Sequence, residues 1–136
     1  MATWRHVQAA IAKLPATREA ANKRGQRTWH VVERAFAWER PLGKSDLKAV
    51  GSAAPAGPIL AVRTPDLEMK DALLGSGYPG LFTIPHFDGY PAILIALNDV
   101  SLATLNFVLV EGWLTDAPPA TADAYLAKHR KAKKKR

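Results

Sequence analysis

Apolar positions recur at spacings of three and four at the start of the chain. Trp4, Val7, Ile11 and Leu14 share one face of a helix over 4–14, with Arg5, Gln8 and Lys13 elsewhere on it. Thr3 is placed to cap this helix and Pro15 to stop it. Residues 16–27 are polar and basic and read as a loop. From 28 to 40 the period changes to two. Trp29 and Val31, then Phe36 and Trp38, alternate with polar neighbours, which predicts a β-hairpin turning at Glu33-Arg34. Residues 41–57 hold Pro41, Gly43, Gly51, Pro55 and Gly57 and read as a long connection with a helical turn within 45–50.

A short β run over 58–63 is followed by clear helix signals: Thr64 at the cap, Pro65 at the first helical position, and Asp66 and Glu68 beside the positive helix end. Leu67, Lys70, Leu73 and Leu74 carry that helix to Gly75-Ser76-Gly77, a glycine stop. Residues 81–87 are extended but interrupted by Pro85, as at a sheet edge, and 88–91 form a turn. The nearly continuous apolar run 92–97 suits a central strand covered on both faces. Ser101 opens a helix whose Leu102, Leu105, Leu109 and Trp113 form one stripe. Asp116-Ala117-Pro118-Pro119 breaks it, and a last short helix fits 121–129. The order α-β-β-β-α-β-β-α(α) predicts an α+β fold with five strands in a largely antiparallel sheet, because strands and crossover helices do not alternate.

With 136 residues, the chain suits one domain. The absence of Cys removes disulfides, thiolate metal sites and a Cys nucleophile. No apolar run approaches a membrane span, and the start lacks a secretory core, so a cytoplasmic location is expected.

The net charge of +7 is unevenly spread. Residues 1–27 carry six cations and one acid, residues 28–127 six cations and eleven acids, and residues 128–136 seven cations and no acid. Through residue 127 the body is therefore neutral. The excess lies in Lys128, Arg130, Lys131, Lys133, Lys134, Lys135 and Arg136, a block expected to be a disordered tail with affinity for polyanions.

No catalytic set is evident. His6, His30, His86 and His129 are far apart, without ligand-pair spacing, so no metal or cofactor is implied. His86 sits in Thr83-Ile84-Pro85-His86-Phe87-Asp88-Gly89-Tyr90, where it either ties an irregular edge strand to a neighbour or serves, with Tyr90, a bound ligand. Gly75-Ser76-Gly77-Tyr78-Pro79-Gly80 follows a helix and lacks the ending of a phosphate loop, so it reads as a turn. Trp4 and Trp113 fit helix core faces. Trp29 and Trp38, on hairpin strands, read as core, with an exposed stacking platform as the alternative. An exposed tryptophan there would join Lys23, Arg24, Arg27, Arg34 and Arg40 in a basic, aromatic surface suited to nucleic acid.

An ordered set of stretches over 4–117 resembles the MmcQ/YjbR-like proteins. It comprises Leu14-Pro15, Thr28-Trp29-His30-Val31, Ala35-Phe36-Ala37-Trp38-Glu39-Arg40-Pro41-Leu42, Lys44-Ser45-Asp46-Leu47, Phe82-Thr83-Ile84-Pro85-His86-Phe87-Asp88-Gly89-Tyr90-Pro91 and Glu111-Gly112-Trp113-Leu114. The segment 18–26 is more basic than the family pattern, and the Lys/Arg tail lies outside it. The resemblance implies a two-layer domain over 1–117, with helices on one face of an antiparallel sheet as in type III secretion chaperones. Residues 118–127 would then be a short helix or linker.

It also implies a non-enzymatic, DNA-binding role through a double-winged arrangement of hairpins, an analogy at the level of fold. The expected contacts are Lys23, Arg24, Arg27, Arg34 and Arg40 to phosphates, with Trp29 stacking and the tail assisting. Five such domain contacts would give a log–log salt slope of about −4 to −5. The alternatives are a chaperone-like protein-interaction module and a small-ligand site around His86, Asp88 and Tyr90. A monomer or weak dimer is expected.

Overall fold

The computed structural model describes residues 2–134, with side chains through Lys128. The first helix, α1 (Trp4–Ala12), is capped reciprocally: the His6 amide donates to Thr3 Oγ1 (3.4 Å) and the Thr3 amide to His6 Nδ1 (3.1 Å). Its buried face is Val7 and Ile11, as the spacing predicts.

The segment read as a loop contains a strand, β1 (Thr17–Ala21), which pairs antiparallel with β2 (Arg27–Val31). Asn22 shapes the turn between them. Its Oδ1 accepts from the amides of Arg24 (2.9 Å) and Gln26 (3.0 Å), and Gly25 adopts a positive φ. A second hairpin joins β2 to β3 (Arg34–Glu39) with Val31 opposite Arg34. The turn is therefore Val32-Glu33, one residue earlier than the sequence suggested, with Val32 at φ 56.

The long connection holds α2 (Lys44–Val50) and a 3-10 turn over Gly51–Ala53. Then come β4 (Ile59–Arg63), α3 (Leu67–Gly75), β5 (Leu81–Phe82), a 3-10 turn over Pro85–Phe87 and β6 (Ala92–Ala96). The sheet has six strands, not five, in the order β1-β2-β3-β4-β6-β5, each neighbouring pair antiparallel. The added strand is β1; its Arg18 and Glu19 are exposed, and it lies at the sheet edge.

Helix α4 (Leu102–Asp116) starts at a Ser101 cap and crosses β3 and β4. It comes close enough at Gly112 that a Cβ there would lie 2.5 Å from Val62 Cγ1 and 3.1 Å from the Arg63 carbonyl oxygen. Helix α5 (Pro119–Lys134) spans the stretch expected as a short helix and continues through most of the stretch expected as a disordered tail. Among the described residues no helix is long and apolar enough to cross a membrane.

Strand β4 contributes to both sides of the sheet. Leu60 and Val62 join a core with α1, α4 and Trp29, whereas Ile59 and Ala61 join a second cluster with Ile84, Phe87 and Leu94. Val50 of α2 packs on that second cluster, so the face opposite α1 and α4 is covered over β4 and β6 by α2 and the Pro85–Phe87 turn. Strand β6 is buried along its whole length, which explains its unbroken apolar run.

Candidate nucleic-acid interface

The register fixes what each side of the β1–β3 half presents. Arg18 pairs with His30, which pairs with Ala35; Ala20 pairs with Thr28, Thr28 with Trp38, and Trp38 with Ala61 of the second cluster. Paired residues project to the same side. On this side Ala20, Thr28, His30, Ala35 and Trp38 are all partly open and Arg18 is exposed. On the opposite side Trp29, Val31 and Ala37 are buried. One half of the second face is thus left uncovered.

Trp29 is not available for stacking. It is 2% exposed, its indole N–H donates to Glu19 Oε1 (3.0 Å), and its ring lies 6.1 Å from Trp4 in a stacked arrangement. The physical reason is its register opposite Ala37, which turns it toward α1. The hairpin tryptophan that is partly open is Trp38, in the adjacent pair and therefore on the other side.

The five expected phosphate contacts also divide. Lys23 and Arg24 are exposed in the β1–β2 turn and form no ion pair among the described residues. Arg34 is exposed as well, but it sits at the opposite end of β2, about 13 Å of strand away. Arg27 is neutralised: its Nη1 is 2.7 Å from Glu39 Oε1, and its guanidinium lies over the Trp4 ring at 5.8 Å. Arg40 is neutralised too, with Nη1 at 3.1 Å from Asp46 Oδ2 and 2.7 Å from the Pro41 carbonyl. The backbone amide of Gly43 and the Arg40 guanidinium hold the Asp46 carboxyl below its ordinary value, against the effect of its burial, and the His86 charge pulls the same way. Of the C-terminal cations only the Lys128 side chain is described. Those of Arg130, Lys131, Lys133 and Lys134, and all of Lys135 and Arg136, lie outside the described residues.

What the structure does bring together is Arg24, Arg40 and His86, which line one hollow of about 380 Å³. A neighbouring hollow of about 340 Å³ shares Arg40 and His86 and adds Trp38, Phe87 and Tyr90. The Arg40 guanidinium stands over the Phe87 ring at 5.6 Å, and the Phe87 and Tyr90 rings meet edge to face at 5.5 Å. His86 and Tyr90 therefore do converge. Asp88 is not among the residues lining either hollow.

Lys70 shapes this loop. It is 4% exposed, and its Nζ donates to the carbonyls of Phe87 (2.5 Å) and Tyr90 (2.8 Å). The sequence places Lys70 on a helix but gives no sign that a buried ammonium pins a loop seventeen residues later. On the strand side, burial and then the Arg18 charge lower the His30 pKa, Glu33 opposing, and His30 Nδ1 is buried without a hydrogen-bond partner. Among the described residues no group of His, Asp and Glu is arranged to hold a metal ion.

The fold and this surface define a small α+β protein whose six-stranded sheet leaves a basic, aromatic corner open. No family model and no solved structure matches the chain. Two proteins similar to it are the uncharacterized protein Rv2570 of Mycobacterium tuberculosis and the uncharacterized protein Mb2600 of Mycobacterium bovis. Each is 42% identical over 130 residues, which covers 93% of this chain and 98% of the relative. The chain belongs to the family these mycobacterial proteins form.

Proposed function

We propose that the protein is a non-enzymatic, cytoplasmic nucleic-acid-binding module of the MmcQ/YjbR-like kind, binding chiefly through phosphates. The observation that carries this reading is the convergence of Arg24, Arg40 and His86 on one hollow beside the uncovered sheet face. The cations Arg18, Lys23 and Arg24, which form no ion pair among the described residues, border that face from β1 and its turn. The MmcQ/YjbR-like assignment rests on the ordered motifs over 4–117 and is supported by the α+β architecture. Because Arg27 is tied to Glu39 and Arg34 lies at the far end of β2, the phosphate contacts of the body fall to Arg18, Lys23 and Arg24, with Arg40, whose Nη1 is held by Asp46 and the Pro41 carbonyl, contributing only through its remaining nitrogens. The body's share of the salt slope is then about −3.

The test is DNA binding by the full chain against salt, with one variant carrying Lys23→Glu and Arg24→Glu and another with the C-terminal cations replaced by Gln. Loss of binding in the first variant supports the reading. Binding that vanishes only in the second reduces the interaction to the C-terminal charge.

The protein-interaction reading has one feature in its favour: Leu102 and Phe107 of α4 are exposed. Replacing Phe107 with Ser would leave DNA binding unchanged under the first reading.

A further inference from the structure

The uncovered half of the sheet is more than a positive surface. In a duplex the bases are stacked inside, so a flat protein face meets mostly phosphates. An unpaired strand also offers bases, and these stack on exposed aromatic rings. Here one indole, Trp38, packs on the second cluster and is still partly open, at a hollow rimmed by Arg40, His86 and Tyr90. Its directly opposed cross-strand neighbours on the open side are small, Thr28 and then Ala20.

Arg40 is held in place for a ligand. Asp46 and the Pro41 carbonyl take one of its terminal nitrogens and Phe87 lies beneath it, which leaves the other nitrogens of the planar fork free to donate. Arg24 reaches the neighbouring hollow, which shares Arg40 and His86 with the one at Trp38, from the β1–β2 turn.

We propose that this face binds single-stranded nucleic acid in preference to duplex, with a base on Trp38 and the adjoining phosphates at Arg40 and Arg24. The inference rests on the nucleic-acid reading and adds to it the form of the ligand. It follows from the pairing register: the open side of the hairpins carries an indole beside cations, and the residue that would suit a purely electrostatic grip, Arg27, is tied to Glu39 on the other side.

The experiment measures fluorescence anisotropy of a short labelled oligothymidylate, and of the same strand annealed to its complement, with the full-length protein at one low salt concentration. The single strand is expected to bind more tightly. Trp38→Leu is expected to weaken the single strand by roughly 5- to 150-fold while leaving the duplex unchanged, and Trp38→Tyr to retain most of the single-strand affinity. Because Trp38 also contributes to packing, Tyr90→Ala provides a second test at an exposed side chain and is expected to reduce the preference in the same direction. An oligouridylate arm tells whether the face also accepts an RNA strand; preference for either single strand over duplex supports the inference. Equal affinity for both DNA forms, indifferent to Trp38 and Tyr90, overturns this inference and leaves the nucleic-acid reading standing. Absence of binding to every oligonucleotide overturns that reading itself.

Discussion

Gly112 lies where α4 crosses the sheet, and Gly112→Ala probes the closest approach of the two layers. On an open helix this change stabilises by about 1 kcal/mol, because alanine restricts the unfolded chain and suits the helix. Here the new methyl would stand 2.5 Å from Val62 Cγ1, 3.1 Å from the Arg63 carbonyl oxygen and 3.5 Å from Phe36 Cδ2. Val62 and Phe36 are fully buried, and valine has few rotamers to yield with. The carbonyl belongs to β4, paired on both edges. So α4 must lift, loosening the packing of Leu105, Leu109 and Trp113.

Overpacking of this kind costs about 3 kcal/mol, at the upper end of its usual range. Set against the helix gain, the net loss is about 2 kcal/mol, or a fall of about 6 °C in Tm. The control is Gly75→Ala at the end of α3, where a Cβ meets nothing within 4 Å and no positive φ stands in the way. It is expected to raise Tm by about 2 °C. Calorimetry of both variants decides the point. If Gly112→Ala stabilises as Gly75→Ala does, the layers are not in the contact described.

Val32 is β-branched, exposed and held at φ 56, so Val32→Gly should raise stability by about 0.5–1 kcal/mol in urea unfolding; a loss would mean the turn is not left-handed there. Lys70→Met removes the donor to two loop carbonyls and should cost about 1–3 kcal/mol, with weaker oligonucleotide binding at the Trp38 hollow; unchanged stability and binding would show that the ammonium does not hold the loop. Burial, chiefly, and Arg18 keep the folded His30 pKa below 6.5, so below about pH 6.5 the unfolded chain takes up a proton that the fold resists, and stability is lost as pH falls toward the folded value. His30→Gln should flatten urea midpoints measured between about pH 7 and pH 5 relative to the parent, and an unaltered slope would contradict this.

The helices and the central strands were largely readable because their signals are local, but the start of α3 was misplaced: Asp66, whose Oδ1 accepts from the Met69 amide, caps it in place of Thr64, and Pro65 lies before the helix. Thr3, Ser101 and the glycine stop after Gly75 mark helix ends, and the apolar run of β6 marks a buried strand. Strand β1 was not readable. Thr17-Arg18-Glu19-Ala20-Ala21 has no alternation and no β-branched residue beyond Thr17, and becomes a strand because β2 offers its free edge. The extra residue between the Trp29–Ala37 and His30–Ala35 pairs was equally invisible. Through that irregular register, Phe36 and Ala37 are both buried and Trp38 faces the open side, out of step with the simple alternation of Phe36 and Trp38.

The same register explains the site. Sequence put Trp29 and Trp38 on a hairpin and favoured core for both, with an exposed platform as the alternative, but the choice depends on which side α1 and α4 cover. The cluster of Arg24, Arg40 and His86 depends on a turn, a strand end and a loop more than forty residues further along, and no local pattern encodes it.

Backbone amide chemical shifts of the full-length protein, titrated with an oligothymidylate, test the central claim most directly. Shifts centred on residues 18–24, Thr28, His30, Trp38, Arg40, His86 and Tyr90 are the predicted result. Shifts confined to the C-terminal cations from Lys128 onward, or centred on the outer face of α4, would contradict it.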